Sequence, residues 1–309
     1  KPEADMPTLS RRRFLSLSAG LTAGLALRPA MAAEIYEWRG IALGAEAQIL
    51  IAHPQAAEIT AEAVAEIARL EQIFSLYRTD SALMQLNASG SLDAPPFELL
   101  ECLALCARAH SATAGRFDPT VQPLWTLYAE HLAAGTTPTP ADLAATIANT
   151  GWQDVRYDAE KITLRPGMAI TLNGIAQGFI ADQIATLFRA KGLTDILINT
   201  GEFHALGGQP GGGAWPVKLT SGGQVALQDR ALASSSPRGT LLDAAGKIGH
   251  IFDPKTGQPA PATWQLVTLS APTAAVADAL STAACLMQSR TEIEAALKGF
   301  DGAKIESLV

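Results

Sequence analysis

The sequence predicts an α+β fold, with mixed, largely antiparallel sheets packed with helices into one globular body over residues 33–309. Three observations carry this reading. The 309 residues are 48% hydrophobic and 17% charged, enough to bury a large core and unlike a disordered composition. Strand-like segments cluster around Gly- and Pro-containing turns, as hairpins do. Helical segments fall between those clusters irregularly, without the βαβ repeat of a parallel sheet.

Taken in order, "YEWRGIALGAEAQILIAH" is rich in β-branched and apolar residues and is bounded by Gly44 and Pro54, which predicts one or two strands. Ile59, Val64, Ile67, Leu70, Ile73 and Phe74 recur near a 3.6-residue period, so an amphipathic helix is expected up to about Tyr77. A short helix or turn follows at "SALMQLNAS". A second long helix lies between Pro95-Pro96 and Gly115. "TPTPADLAATIANTGW" predicts a helix introduced by a Thr/Pro loop, and "DVRYDAEKITLRPGMAITLN" a two-stranded hairpin. "GIAQGFIADQIATLFRAKGLTDILINTGE" reads as strand, turn, helix, turn, strand. Short strands and glycine-rich turns run from there to "GHIFDPKTG", and "TAAVADALSTAACLM" is an apolar helix.

Arg11-Arg12-Arg13 precede an apolar Gly/Ala-rich run that ends in Ala30-Met31-Ala32. This pattern predicts a twin-arginine export signal over residues 1–32, hence a soluble periplasmic protein, with Met6 a candidate start. The apolar run is short for a membrane span, and with no cysteine after it a lipid anchor is not expected. A net charge of −7 without a basic stretch beyond the signal excludes a nucleic-acid footprint. Cys102 and Cys106 share a helical face and Cys285 lies in another apolar helix, so all three read as core thiols.

Three stretches could carry chemistry. Gly174 and Gly178 stand at a strand-to-helix junction, where free N–H groups favour an anion. The spacing lacks the rest of a dinucleotide or P-loop motif, so close packing is the competing account. Asp278 and Thr282 are four apart on an otherwise apolar helix, a hard-oxygen pair suited to Mg²⁺; a plain helix cap is the alternative. His250 sits in a turn stiffened by Asp253-Pro254 and Thr256-Gly257, and reads as a general base, a phosphate ligand or a core histidine.

In their order, "FSLYRTDSALMQLN", "GRFDPTVQPLW", "LNGIAQGFIAD", "LINTGE", "GHIFDPKTG" and "ADALSTAACLM" resemble the blocks of the ApbE family of FAD:protein FMN transferases, over nearly the whole of residues 33–309. The resemblance implies a T-fold-related body and a Mg²⁺-dependent enzyme. Such an enzyme cleaves FAD, attaches FMN through a phosphoester to a Thr or Ser of an acceptor protein, and releases AMP. By the same resemblance His250 is catalytic, as a base or a stabiliser of charge. Flavin contacts fall on Leu43 in the first strand, Tyr77, Arg116, Phe117, Asp118, Thr171, Gln177 and Ile251. The metal set falls on Asp278, Thr282, adjacent Ser281 and the backbone carbonyl of Gly174.

The chain departs from the family pattern where Thr171 and Gln177 replace an Asp and a Lys, and where Asn199-Thr200-Gly201-Glu202 replaces Asn-x-Gly-Gly. These variants resemble a periplasmic subgroup associated with nitrous oxide reduction, whose acceptor is a membrane-associated electron-transfer subunit. A FAD-binding or storage protein, a FAD pyrophosphatase without a protein acceptor, and a maturation chaperone are the alternative readings.

Overall fold

Residues 36–51 fold as a hairpin, β1 (Tyr36–Ala42) and β2 (Ala45–Ile51), joined by Leu43 and Gly44 alone. Both turn residues have positive φ, +48° and +82°, as a two-residue type I′ turn requires. Leu43 therefore lies in a turn and not in the first strand, and its N–H is held by Glu71 Oε1 at 2.7 Å. The computed structural model describes residues 34–309, so the expected export signal lies outside the described residues.

The chain continues through α1 (Ala56–Phe74), α2 (Ala82–Ser89), β3 (Ser91–Asp93), α3 (Phe97–Ala112), α4 (Gln122–Ala133) and α5 (Pro140–Ile147). Next come β4 (Arg156–Tyr157), β5 (Lys161–Thr163), α6 (Ala176–Ala190), β6 (Ile196–Asn199) and β7 (Phe203–Leu206). After β8 (Trp215–Lys218), β9 (Gln224–Leu227) and β10 (Arg230–Ser235), the fold closes with β11 (Val267–Ala271), α7 (Ala274–Ala284), α8 (Arg290–Leu297) and β12 (Lys304–Leu308).

Seven strands form the main sheet in the order β1-β2-β6-β7-β10-β11-β12. Among the described residues every pairing is antiparallel, so the sheets are not mixed. Strand alternation decides what each face buries. Ile49, Ile51, Ile196 and Ile198 point to the face packed under Ile67 and Leu70 of α1 and Phe179 and Ile184 of α6. Leu50 and Leu197 point to the opposite face, where the β8–β9 hairpin covers them with Trp215, Val217 and Leu227. With both faces covered there, Ile49-Leu50-Ile51 of β2 and Ile196-Leu197-Ile198 of β6 are continuous apolar runs.

Other differences from the sequence reading have local causes. Helix α1 stops at Phe74, with Ser75 in extended conformation, before Tyr77. No strand precedes α6, because residues 168–172 run irregularly into a turn at 173–175 and are pinned from outside, Ile170 N–H by Asn87 Oδ1 and Thr171 N–H by Pro119 O. "GHIFDPKTG" contributes only the isolated bridges Leu241–Gly249 and Phe252–Pro259. The three cysteines are buried and free, as read. Among the described residues no helix is long and apolar enough to cross a membrane.

Candidate active site

Three structural ends meet on the helical side of the sheet: the N-terminus of α6, the middle of α7, and the C-terminal end of β10. Gly178, in the first turn of α6, has no room for a side chain, since a Cβ there would stand 2.3 Å from Ala274 O and 2.4 Å from Ala274 C. Its N–H donates to Asp278 Oδ2 at 3.3 Å. Gly178 is thus a packing glycine whose donor is already used by a carboxylate, which settles the choice between a phosphate cradle and close packing at that position. Helix α7 is capped from outside: Asp182 of α6 accepts from Ala274 N (2.7 Å) and Ala275 N (2.9 Å), and His204 of β7 holds it at 2.7 Å. Asp278 therefore does no capping and is left one turn further on, buried at 3% exposure.

Two cavity lobes, of about 220 Å³ and 90 Å³, share Trp125, Asn173, His250 and Thr282 as a common wall. The larger is lined by Leu43, Tyr77, Gln177, Glu202, Ser234, Ser235, Thr240 and Asp278. The smaller is lined by Arg116, Phe117, Asp118, Thr171, Gly174 and Ile251. The structure thus brings all but one of the sequence-derived site residues to one cleft. The exception is Ser281, which lines neither lobe; its hydroxyl donates to Asp278 O at 3.0 Å and meets Ser235 Oγ at 2.7 Å.

At the junction, Thr240 N–H donates to His250 Nδ1 at 3.2 Å, which assigns the ring proton to Nε2. Burial holds the imidazole well below its ordinary range, at about 4, so the ring is neutral. The loop that carries it is stiff: Asp253 Oδ1 accepts from Lys255 N (2.8 Å), and Asp253 O from Gly257 N (2.8 Å) at positive φ.

The donor set fits a hard divalent cation. Asp278 is pushed up to about 7 by burial, as expected of a carboxylate with no cation beside it. Thr282 lies on its helical face, and the Gly174 backbone is so close that a Cβ there would stand 3.1 Å from Thr282 Oγ1. Asp118, in the wall of the smaller lobe, also braces its own loop: Oδ1 accepts from Thr120 N and Oγ1 (2.8 and 2.6 Å), and Oδ2 from Trp152 N (3.2 Å). Its carboxylate shapes the loop under Phe117. Arg116 likewise donates to Leu286 O, tying that loop to the end of α7.

Sequence reasoning missed Trp125, Asn173, Ser234 and Ser235 as cavity walls, and treated Glu202 only as a departure from a pattern. Asn173 sat inside a quoted block and was within reach. Trp125 ends another quoted block, and its place at the cleft depends on α4, which Pro123 opens in its first turn.

The family model described as "ApbE family" matches residues 43–303. The chain is 28% identical over 235 residues to the FAD:protein FMN transferase of Chlamydia pneumoniae, covering 72% of this chain and 74% of that one. It is 29% identical over 245 residues to the protein of the same name from Haemophilus influenzae, covering 72% and 71%. Among solved structures, the apo form of the Pseudomonas stutzeri flavinyl transferase ApbE superposes with a TM-score of 0.76 at 23% identity, over 87% of this chain and 89% of that one. The Thermotoga maritima ApbE protein does so with 0.76 at 24%, over 88% and 96%. Because that family model spans residues 43–303, well over half of the sequence, the chain belongs to the ApbE family.

Proposed function

We propose that this chain is a FAD:protein FMN transferase, moving the FMN portion of FAD onto a Thr or Ser hydroxyl of an acceptor protein. The observation that carries the reading is the joint wall of the two lobes, where His250 stands beside Thr282 and opens to both sides. The names carried by the relatives support it. In the reaction, a bond forms between the acceptor oxygen and the FMN phosphorus. The phosphorus–oxygen bond to the AMP portion breaks, AMP leaves, and the hydroxyl proton is released.

Of the two roles expected for His250, the Thr240 contact favours the donor. A neutral ring whose Nδ1 is occupied by a backbone N–H offers Nε2–H to a phosphate oxygen, where it stabilises charge as the bond breaks. Asp278, Thr282 and the Gly174 backbone would hold Mg²⁺, which when bound offsets phosphate charge. Tyr77 at the mouth and Trp125 at the junction supply aromatic surface for a flat ring system. Export by the twin-arginine motif at Arg11-Arg12 would place the reaction in the periplasm, with a membrane-associated electron-transfer subunit as acceptor.

The test is the intact mass of an acceptor domain incubated with the protein, FAD and Mg²⁺. A gain of one FMN is expected. Free FMN with an unmodified acceptor would replace the reading with a pyrophosphatase, and intact bound FAD would replace it with a binding protein.

A further inference from the structure

Glu202 is a carboxylate that the proposed chemistry does not use, and its surroundings are unusual. It leaves β6 through a bend docked on α6: Thr200 Oγ1 donates to Gln177 O at 2.8 Å, and a Cβ on Gly201 would stand 2.6 Å from Gln177 Nε2. The side chain is 7% exposed and lines the larger lobe opposite Asp278. Oε2 accepts from Ser234 N at 3.2 Å, while Oε1 accepts no hydrogen bond among the described residues. Asp278 repeats this arrangement, with Oδ2 on Gly178 N and Oδ1 without a partner among the described residues.

The two acids are close in space. Ser234 holds Glu202, and the next residue of β10, Ser235, bonds Ser281 and approaches Thr282 at 3.4 Å, one turn beyond Asp278. The charge of Asp278 adds to burial in pushing Glu202 well above the ordinary carboxylate range. Among the described residues no Lys or Arg lines this lobe, and His250 is neutral. Two buried carboxylates lining one lobe, each with an oxygen that accepts no hydrogen bond among the described residues, are costly to ionise unless a cation joins them.

Building on the FMN-transferase reading, we propose that Glu202 is a second carboxylate ligand, with Asp278, to a hard divalent cation in the larger lobe. The pair supplies two negative charges and free oxygens, the donor chemistry of Mg²⁺ and Mn²⁺. A cation held there also lets an anionic pyrophosphate approach a lobe that is otherwise acidic.

The test is titration of Mn²⁺ alone, without FAD, into the purified protein, followed by electron paramagnetic resonance of free Mn²⁺. Glu202→Gln is expected to weaken Mn²⁺ binding by about ten- to hundredfold. In the metal-free state that variant should melt no lower than the parent, because a buried acid that is costly to ionise has been replaced by a neutral amide of the same shape. Unchanged Mn²⁺ affinity in Glu202→Gln would overturn the assignment. If the Gln variant does not fold, Glu202→Asp carries the test: a carboxylate shortened by one methylene should lose at least about tenfold in affinity, and unchanged affinity overturns the proposal. The acceptor mass assay on the parent protein is independent, so failure of the metal assignment is distinguishable from failure of the transferase reading.

Discussion

Replacing Gly178 by Ala probes the joint on which the site is built. The added Cβ would stand 2.4 Å from Ala274 C and 2.6 Å from Ala275 N, both backbone atoms of α7. Carbon atoms settle at about 3.5 Å or more, so α6 and α7 must part by about 1 Å. Such overpacking costs about 1–3 kcal/mol. Parting also stretches the 3.3 Å bond from Gly178 N to buried Asp278, adding about 1.5–3 kcal/mol. Better helix propensity returns about 1 kcal/mol. The net loss of about 1.5–5 kcal/mol corresponds to a fall in Tm of roughly 3–20 °C for a domain of this size. Calorimetry and Mn²⁺ titration together form the assay, since displacement of α7 also moves Asp278 and Thr282. Gly174→Ala is the control for melting alone, because its Cβ meets the side chain of Thr282 at 3.1 Å, which yields by a few tenths of an ångström without parting the helices. A Gly178→Ala protein that melts within about 2 °C of the parent and binds Mn²⁺ equally well would refute the argument that backbone contact between α6 and α7 sets the site.

Further outcomes follow from the same geometry. His250→Ala should retain FAD and lose about 10²–10³-fold in transfer rate, whereas His250→Gln, which still offers an N–H, should keep part of it; equal loss in both would return the ring to the role of base. Because His250 is held at about 4, the parent's rate should show no histidine step near the ordinary value of about 6.5, and a step there in kcat/KM would contradict the neutral ring. Asp182→Asn removes a charged acceptor from Ala274 N, Ala275 N and His204 and should cost roughly 2–4 kcal/mol with weaker Mn²⁺ binding, while unchanged melting would deny its role in seating α7. For metal-free protein, Asp278 is raised to about 7, so the native state holds a proton that the unfolded chain has released. Stability is then lost as pH rises through about 7. His250 acts in the opposite sense between about pH 4 and 6.5, so the contribution of Asp278 is read as the difference between the parent and Asp278→Asn over about pH 4–7. Saturating Mn²⁺ or Asp278→Asn should flatten that fall, and a slope that persists in Asp278→Asn belongs to another group.

Much of the architecture was legible because it is local. The period of Ile59, Ile67 and Leu70 announced α1, the β-branched stretch bounded by Gly44 and Pro54 announced one or two strands where the fold has a hairpin, and "ADALSTAACLM" set Asp278 and Thr282 on one face of a helix. What escaped was decided by contacts distant in the chain. No strand formed before α6, because Asn87 and Pro119 claimed the backbone of Ile170 and Thr171. Nothing local in the sequence marks His204, yet it closes the clamp of Asp182 on α7. Ser281 read as a ligand by adjacency, and its hydroxyl is turned to Asp278 O and Ser235.

By itself, the sequence determined the inventory: an α+β chain of helices and hairpins, three core thiols, and a block order that marks the family. Those properties depend on periodicity, turn chemistry and residue type, all of which act over a few neighbours. Only the tertiary structure decided which groups face one another. Seating Gly178 against Ala274 brings α6 to α7, β10 ties its serines to α7, and the bend after β6 sends Glu202 toward Asp278. Charge and solvation at a site depend on such distances across the fold, so the state of His250 and the pairing of two buried carboxylates exist only once the chain has closed on itself.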